Sequence, residues 1–188
     1  MFRRTYAVAG VVLTLVLAGA AMIGCPPEDN EGTKVKFTVT AESLVPDAHF
    51  GKLFAVTHDN SLSVFSENEA VGSEFQEFDF MNDTVPLEAS LVNLEGITEV
   101  FAGEEDLSGL GTDNDTLTFT VMGLTDDLFT IITPQFQTPS TFAALNAVPL
   151  PATGSQIFDL EMFSLNQLNK VVVEPGATVF VRVTITRN

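Results

Sequence analysis

Thr178-Val-Phe-Val-Arg-Val-Thr-Ile-Thr186 sets Val179, Val181, Val183 and Ile185 on one side and Phe180, Arg182 and Thr184 on the other. Such an alternation, with a period of two, is the pattern of a β-strand with one face buried. It recurs in Lys34-Val-Lys-Phe-Thr-Val-Thr40, where Val35, Phe37 and Val39 share a face, and in Thr116-Leu-Thr-Phe-Thr-Val121. Shorter strands are expected at Leu53–Thr57 and Leu62–Phe65, around a polar turn at His58–Ser61, and at Ile97–Phe101, Leu128–Ile132, Ile157–Phe163 and Val171–Val173. Turn signals separate them: Pro46-Asp47, an acidic loop from Gly103 to Asp115, Gly123 to Asp127, and Glu174-Pro-Gly-Ala177. The stretch Thr138–Gly154 carries four prolines or glycines and reads mostly as loop. Ser66–Glu77 has no period of two and holds either a short helix or an irregular loop.

Helical signals are scarce. The best is Pro86–Leu94, with Pro86 suited to the first helical position, Asp83 or Thr84 available as a cap, and Leu87, Leu91 and Leu94 on one face. About eight short strands with at most one or two short helices make an all-β chain, and the fold class expected is an antiparallel β-sandwich. No internal repeat and no linker to a second domain is visible.

The N-terminal stretch is of another kind. Phe2-Arg3-Arg4 is a basic head, Tyr6 to Leu17 is an apolar run, Ala18–Ala21 are small, and Met22-Ile23-Gly24-Cys25 ends like a bacterial lipobox. That order is the pattern of a secretory signal. Residues 1–24 are therefore expected to be a lipoprotein signal peptide, 25–33 a lipidated tether and 34–188 the sandwich domain. An uncleaved transmembrane helix over Tyr6–Ile23 and a signal without lipid are the alternatives. Pro26-Pro-Glu-Asp-Asn-Glu-Gly-Thr33 is polar and suits a spacer. Proline after the cysteine resembles no inner-membrane retention signal, which points to the outer membrane in a host that has two.

Charge and cysteine content exclude several functions. The chain has 8 basic and 25 acidic residues, a formal charge of −17. Cleavage before Cys25 removes both signal arginines and leaves six basic residues against 25 acidic ones, a charge of −19 over 164 residues. Nucleic acid is thereby excluded as a partner, because phosphates need cationic contacts. Cys25 is the only cysteine. Once lipidated it leaves no thiol for a disulfide, a nucleophile or a metal site, so the domain depends on its core.

Catalytic patterns are weak. His58 with Asp59 and Ser61 has the composition of a triad, but neighbouring strand residues face opposite ways and no Gly-x-Ser-x-Gly elbow exists. His58 reads as a turn residue bonded to backbone. Two histidines, His49 and His58, do not make a zinc site. Glu67/Glu69 and Asp159/Glu161 are carboxylate pairs of the kind a hydrolase uses, but 25 acidic residues produce such pairs by chance. Glu104-Glu-Asp106, Asp113-Asn-Asp115 and Asp126-Asp127 read as solvated acidic loops, and Asp113 is not followed by the glycine and glutamate of an EF-hand. Asn82-Asp-Thr84 and Asn114-Asp-Thr116 match glycosylation sequons, a common pattern. Sixteen phenylalanines supply the aromatic packing. Phe75, Phe78 and Phe80 are read as core, with an exposed partner patch as the alternative.

Three stretches resemble the spondin N-terminal domain of bacterial proteins: Phe54-Ala-Val-Thr-His-Asp-Asn-Ser-Leu-Ser-Val-Phe65 with Ala70-Val-Gly-Ser73, Leu128-Phe-Thr-Ile-Ile-Thr-Pro-Gln-Phe136 up to Phe142, and Val181-Arg-Val-Thr-Ile-Thr-Arg187. Asp83-Thr84 followed by Leu87 stands where that family has Gly-Asp and a helix. The resemblance runs from about Val35 to the C-terminus. It implies a C2-like sandwich with a calcium ion at one end. The ligand-bearing stretches depart from the family pattern. Thr138-Pro-Ser-Thr-Phe142 puts Ser140 where a carboxylate is expected, and Ser164-Leu-Asn-Gln-Leu168 has none. Calcium needs six to eight oxygens, several of them anionic. The family site is thus expected to be degraded, and no cofactor is assigned. Asp113, Asp115, Asp159 and Glu161 are kept as weak calcium candidates.

The function expected is that of a lipid-anchored, extracytoplasmic, non-enzymatic binding or surface-display module, adhesion-like, held to the membrane by Cys25 and facing an unknown protein or surface partner. A carboxylate-dependent extracytoplasmic hydrolase and a calcium-stabilised structural domain are the alternatives.

Overall fold

The structure is a computed structural model and describes residues 32–138, 140–174 and 178–188. Cys25, the apolar run and tether residues 26–31 lie outside them, as does most of the Glu174–Ala177 turn. No helix among the described residues is long and apolar enough to cross a membrane.

Ten strands and two short helices are found among the described residues. They are β1 (Val35–Ser43), β2 (His49–His58), α1 (Ser73–Met81), α2 (Val85–Leu91), β3 (Ile97–Ser108), β4 (Thr116–Gly123), β5 (Leu128–Pro134), β6 (Thr141–Pro149), β7 (Ser155–Asp159), β8 (Glu161–Leu165), β9 (Val171–Val173) and β10 (Val181–Arg187). They form a four-stranded sheet in the order β4-β1-β10-β7 and a six-stranded sheet in the order β3-β2-β5-β6-β8-β9. Every pairing is antiparallel. This is the all-β sandwich that the alternation predicts.

The best-patterned strands lie side by side. β1 pairs with β10 so that Val39 faces Ile185 and Ala41 faces Val183, and with β4 so that Phe37 faces Val121. Phe37, Val39, Ala41, Val181, Val183 and Ile185 are all completely buried against the other sheet. The outward residues of these strands stay partly or wholly exposed, which is why the sequence alternates so clearly. The last strand begins only at Val181, so Val179 is not among its inward residues.

The six-stranded sheet is covered on both faces. Ala55, Phe129 and Ile131 point into the sandwich, while Phe54, Val56 and Ile132 point to a second core under α1 and α2. Strands buried on both sides lose the polar half of their pattern. Phe142-Ala-Ala-Leu145 is such a run, so the expected loop at Thr138–Gly154 contains β6, between β5 and β8. The expected strand Ile157–Phe163 is two strands in different sheets. Buried Leu160 is the crossing point, its N–H bonded to the Val181 carbonyl at 2.9 Å. Acidic Glu104-Glu-Asp106 belongs to β3, which extends to Ser108, and the loop is confined to Gly109–Asp115.

Leu62–Phe65 is not a strand. The chain turns at Asp59, whose carboxylate accepts the Ser61 N–H and hydroxyl at 2.8 and 2.6 Å, and then drops Phe65 into the second core. There the Phe65 ring meets Phe142 at 5.5 Å, Phe163 at 5.3 Å and Phe75 at 5.9 Å, in edge-to-face contacts. The Ser66–Glu77 stretch resolves in favour of a helix at its end, because Phe75 and Phe78 are three apart and both reach the same core. α2 has Pro86 in its first turn, and the Asp83 carboxylate accepts the Val85 N–H at 3.1 Å. Leu87 and Leu91 are buried; the helix stops there, so Leu94 is exposed and does not extend its face.

Candidate functional site

One cleft follows from how the sandwich ends at one side. β3 and β4 are edge strands of opposite sheets, not neighbours in one. Their inward side chains meet across the gap: Phe101 and Phe119 stack with centroids 3.9 Å apart and planes 8° from parallel. Below this pair the Glu99 carboxylate accepts the outward N–H of Met122 and closes the seam. Beside it the seam opens into a cleft of about 370 Å³ lined by Leu53, Phe101 to Glu105, and Leu117 to Phe119.

A bulge shapes one wall of the cleft. Lys52 pairs with Asp106 and Phe54 with Ala102, so β3 uses four steps where β2 uses two. A bulge of this kind bends an edge strand and re-aims its side chains. Gly103 is required at its root, because a Cβ there would sit 2.8 Å from the Leu53 carbonyl oxygen. Glu104 and Glu105 are thrown outward to the rim of the cleft and are exposed.

Asp106 has a structural role. Asn82, in the left-handed conformation that ends α1 (φ 55°), accepts the Lys52 N–H at 2.7 Å and donates to Asp106 at 2.7 Å. It thereby fastens the helix layer to the bulge. Gly51 leaves room for this, since a Cβ there would lie 2.3 Å from the Asn82 amide oxygen.

The residues singled out as metal candidates do not converge. Asp159 forms the one ion pair among the described residues, with Arg182 at 2.8 Å, and that carboxylate holds the guanidinium pKa above its ordinary value. Glu161, two residues on, belongs to the other sheet. Asp115 is occupied with the Gly111 N–H at 2.9 Å and the Thr116 hydroxyl at 3.2 Å, and Asp113 is exposed in the same turn. Asp127 accepts the Leu124 N–H at 2.8 Å and closes the turn before β5. No group of three His, Cys, Asp or Glu placed to hold a metal ion is found among the described residues. The two stretches that the spondin resemblance pairs are adjacent, with the Leu165 N–H bonded to the Ser140 carbonyl at 2.8 Å. They carry only neutral oxygens.

The histidines stand at opposite ends of β2, about 30 Å apart at 3.3 Å per residue. His58 is completely buried. Its Nδ1 donates to the Asp59 carbonyl at 2.7 Å, and its Nε2 lies 3.0 Å from the Thr130 hydroxyl. Thr130 in turn contacts Asn146, whose amide donates to the Phe65 carbonyl at 3.2 Å. The histidine thus anchors the 59–65 turn, and no triad forms. Asp59 has its pKa lowered by the hydroxyl and N–H of Ser61, bonds within the turn.

No family model matches the chain, and no curated protein does.

Sequence reasoning missed three features. Phe75 and Phe78 are core, as read, but their neighbour Asp79 is also buried, and both of its carboxyl oxygens lack a partner. Burial pushes its pKa up to about 7. Phe80, expected in the core with Phe75 and Phe78, is instead exposed beside Met81 at the end of the same helix. The Phe101–Phe119 pair and the bulge were also missed. Gly103, where apolar Val100-Phe-Ala102 gives way to Glu104-Glu-Asp106, is the available signal for the bulge.

Proposed function

We propose that the chain is a lipid-anchored, extracytoplasmic binding module, displayed through Cys25 and related in plan to the spondin-like sandwiches it resembles in sequence. The observation that carries the binding reading is the cleft between β3 and β4. It has an apolar floor and a polar rim, and its volume falls within the range of small-ligand sites. A hydrolase reading has one observation in its favour, since Glu104 and Glu105 both line this cleft. They stand side by side on one wall, however, and Leu117, Thr118 and Phe119 opposite supply no carboxylate. Paired hydrolytic carboxylates must flank the bond they cleave. The geometry therefore suits holding a ligand better than cleaving one.

Two measurements test the parts separately. The intact mass of the chain recovered from bacterial membranes is expected to equal residues 25–188 plus acyl and glyceryl groups, with Cys25→Ser retaining residues 1–24 unlipidated. A mature N-terminus at any other residue overturns the anchor. In a fragment screen read by backbone amide shifts, hits are expected to move Phe101–Glu105 and Leu117–Phe119. Hits collecting on another surface overturn the cleft.

A further inference from the structure

The cleft has a floor and a rim of opposite character, and we propose that it takes a small organic cation with an apolar, ring-sized body. The inference rests on the cleft being the binding site and assigns its ligand class. Leu53, Leu117 and the Phe101–Phe119 stack offer an apolar floor on which a ring or short alkyl chain loses its water. Glu104 and Glu105 offer two carboxylates at the mouth. The one ion pair among the described residues lies elsewhere, between Arg182 and Asp159, so neither rim glutamate is ion-paired there. Carboxylates beside an apolar wall attract a cation more strongly than they would in open water, because the wall lowers the local dielectric and focuses the field. Aromatic rings add their own attraction for an ammonium group. The chain's formal charge of −17 raises the local concentration of cations further and repels anions.

A polypeptide strand is the competing occupant, since β3 and β4 both end their sheets. The β3 edge is blunted at the cleft, and the β4 edge just beyond its end. The bulge at Gly103–Glu105 breaks the row of pairing groups on β3, and the Glu99 carboxylate already occupies the outward N–H of Met122 on β4. Bulges and inserted charges are what proteins use to prevent strand addition. What remains accessible is a pocket rather than a ladder.

The test uses the isotope-labelled full chain in non-ionic detergent and three probes of matched length: 3-phenylpropylammonium, 3-phenylpropanol and 3-phenylpropionate. Amide shifts report the site, which separates binding from partition into micelles. The cation is expected to move Ala102, Gly103, Thr118 and Phe119 and to bind at least tenfold more tightly than the propionate. In Glu104→Gln/Glu105→Gln, both exposed positions, its affinity is expected to fall to that of the neutral alcohol. Equal binding of all three probes at these amides would overturn the charge assignment and leave the cleft as a binding site. No shift at these amides with any probe would overturn both. A basic peptide that shifts the whole β4 edge and displaces the cation would replace the small-molecule assignment with strand addition.

Discussion

Asp79 shows how much a single residue can oppose the fold that surrounds it. It is buried on α1 with neither oxygen bonded, and desolvation pushes its pKa up to about 7 from an ordinary 3.8. No lysine, arginine or histidine among the described residues forms an ion pair with it, although β2, which meets α1 through Phe54 and Phe78, carries Lys52. β5 has no ionisable residue, and the only one on α2 is Glu88. Raising the folded-state pKa means that the native chain holds a proton the unfolded chain releases. Its stabilising contribution is therefore complete below pH 3.8 and is lost as pH rises through about 7. At roughly 1.4 kcal/mol per pKa unit the whole effect is about 4 kcal/mol. Urea melts of wild type and Asp79→Asn, compared at pH 5 and pH 8, should show the variant gaining on wild type at the higher pH. A difference between the two proteins that does not change with pH would mean that Asp79 finds a partner or water in solution. Nothing in Phe78-Asp-Phe80 announces this burial, because periodicity marks apolar positions and a lone acid on a short helix reads as its solvated side.

Among elements, legibility follows exposure. β1, β4 and β10 were readable because one face of each is wet and the other dry. β6 was unreadable because both faces are dry, and its Pro149 and neighbouring Ser140 imitate a loop. The β7–β8 pair looked like one strand because an in-line crossing through Leu160 changes sheet without any turn residue. Leu62–Phe65 looks like a strand because Leu62, Val64 and Phe65 are apolar, although only Phe65 is fully buried. The cleft was half legible. Alternation in β4 sends Phe119 inward, but its partner Phe101 comes from the opposite sheet, and a pairing across sheets has no local signature. Phe65 gives the sharpest test at this scale. Truncating a buried phenylalanine costs about 3–5 kcal/mol. Phe65→Ala should lose that much and should also free the 59–65 turn, measured as faster exchange of the bonded Asp59 and Ser61 amides. Phe136→Ala, at a partly exposed ring, should cost far less. Equal costs would mean that Phe65 does not tie the turn to the second core.

At the scale of the whole molecule, two cores share one sheet. The four-stranded sheet closes the first, and the helices with Phe65 close the second, so β2 and β5 contribute side chains to both. The arrangement also leaves β3 and β4 as a seam, and the cleft opens along it. The position of β1 has a mechanical side. If the chain is held at Cys25, any pull on the domain enters at Val35, the first residue of a strand bonded along its length to β4 on one side and to β10 on the other. Tension directed along such a strand must shear two ladders at once instead of peeling bonds one by one. The domain would then resist being dragged from its anchor more strongly than its thermodynamic stability alone implies, and would yield first where a pull reached an outer strand such as β7 or β9.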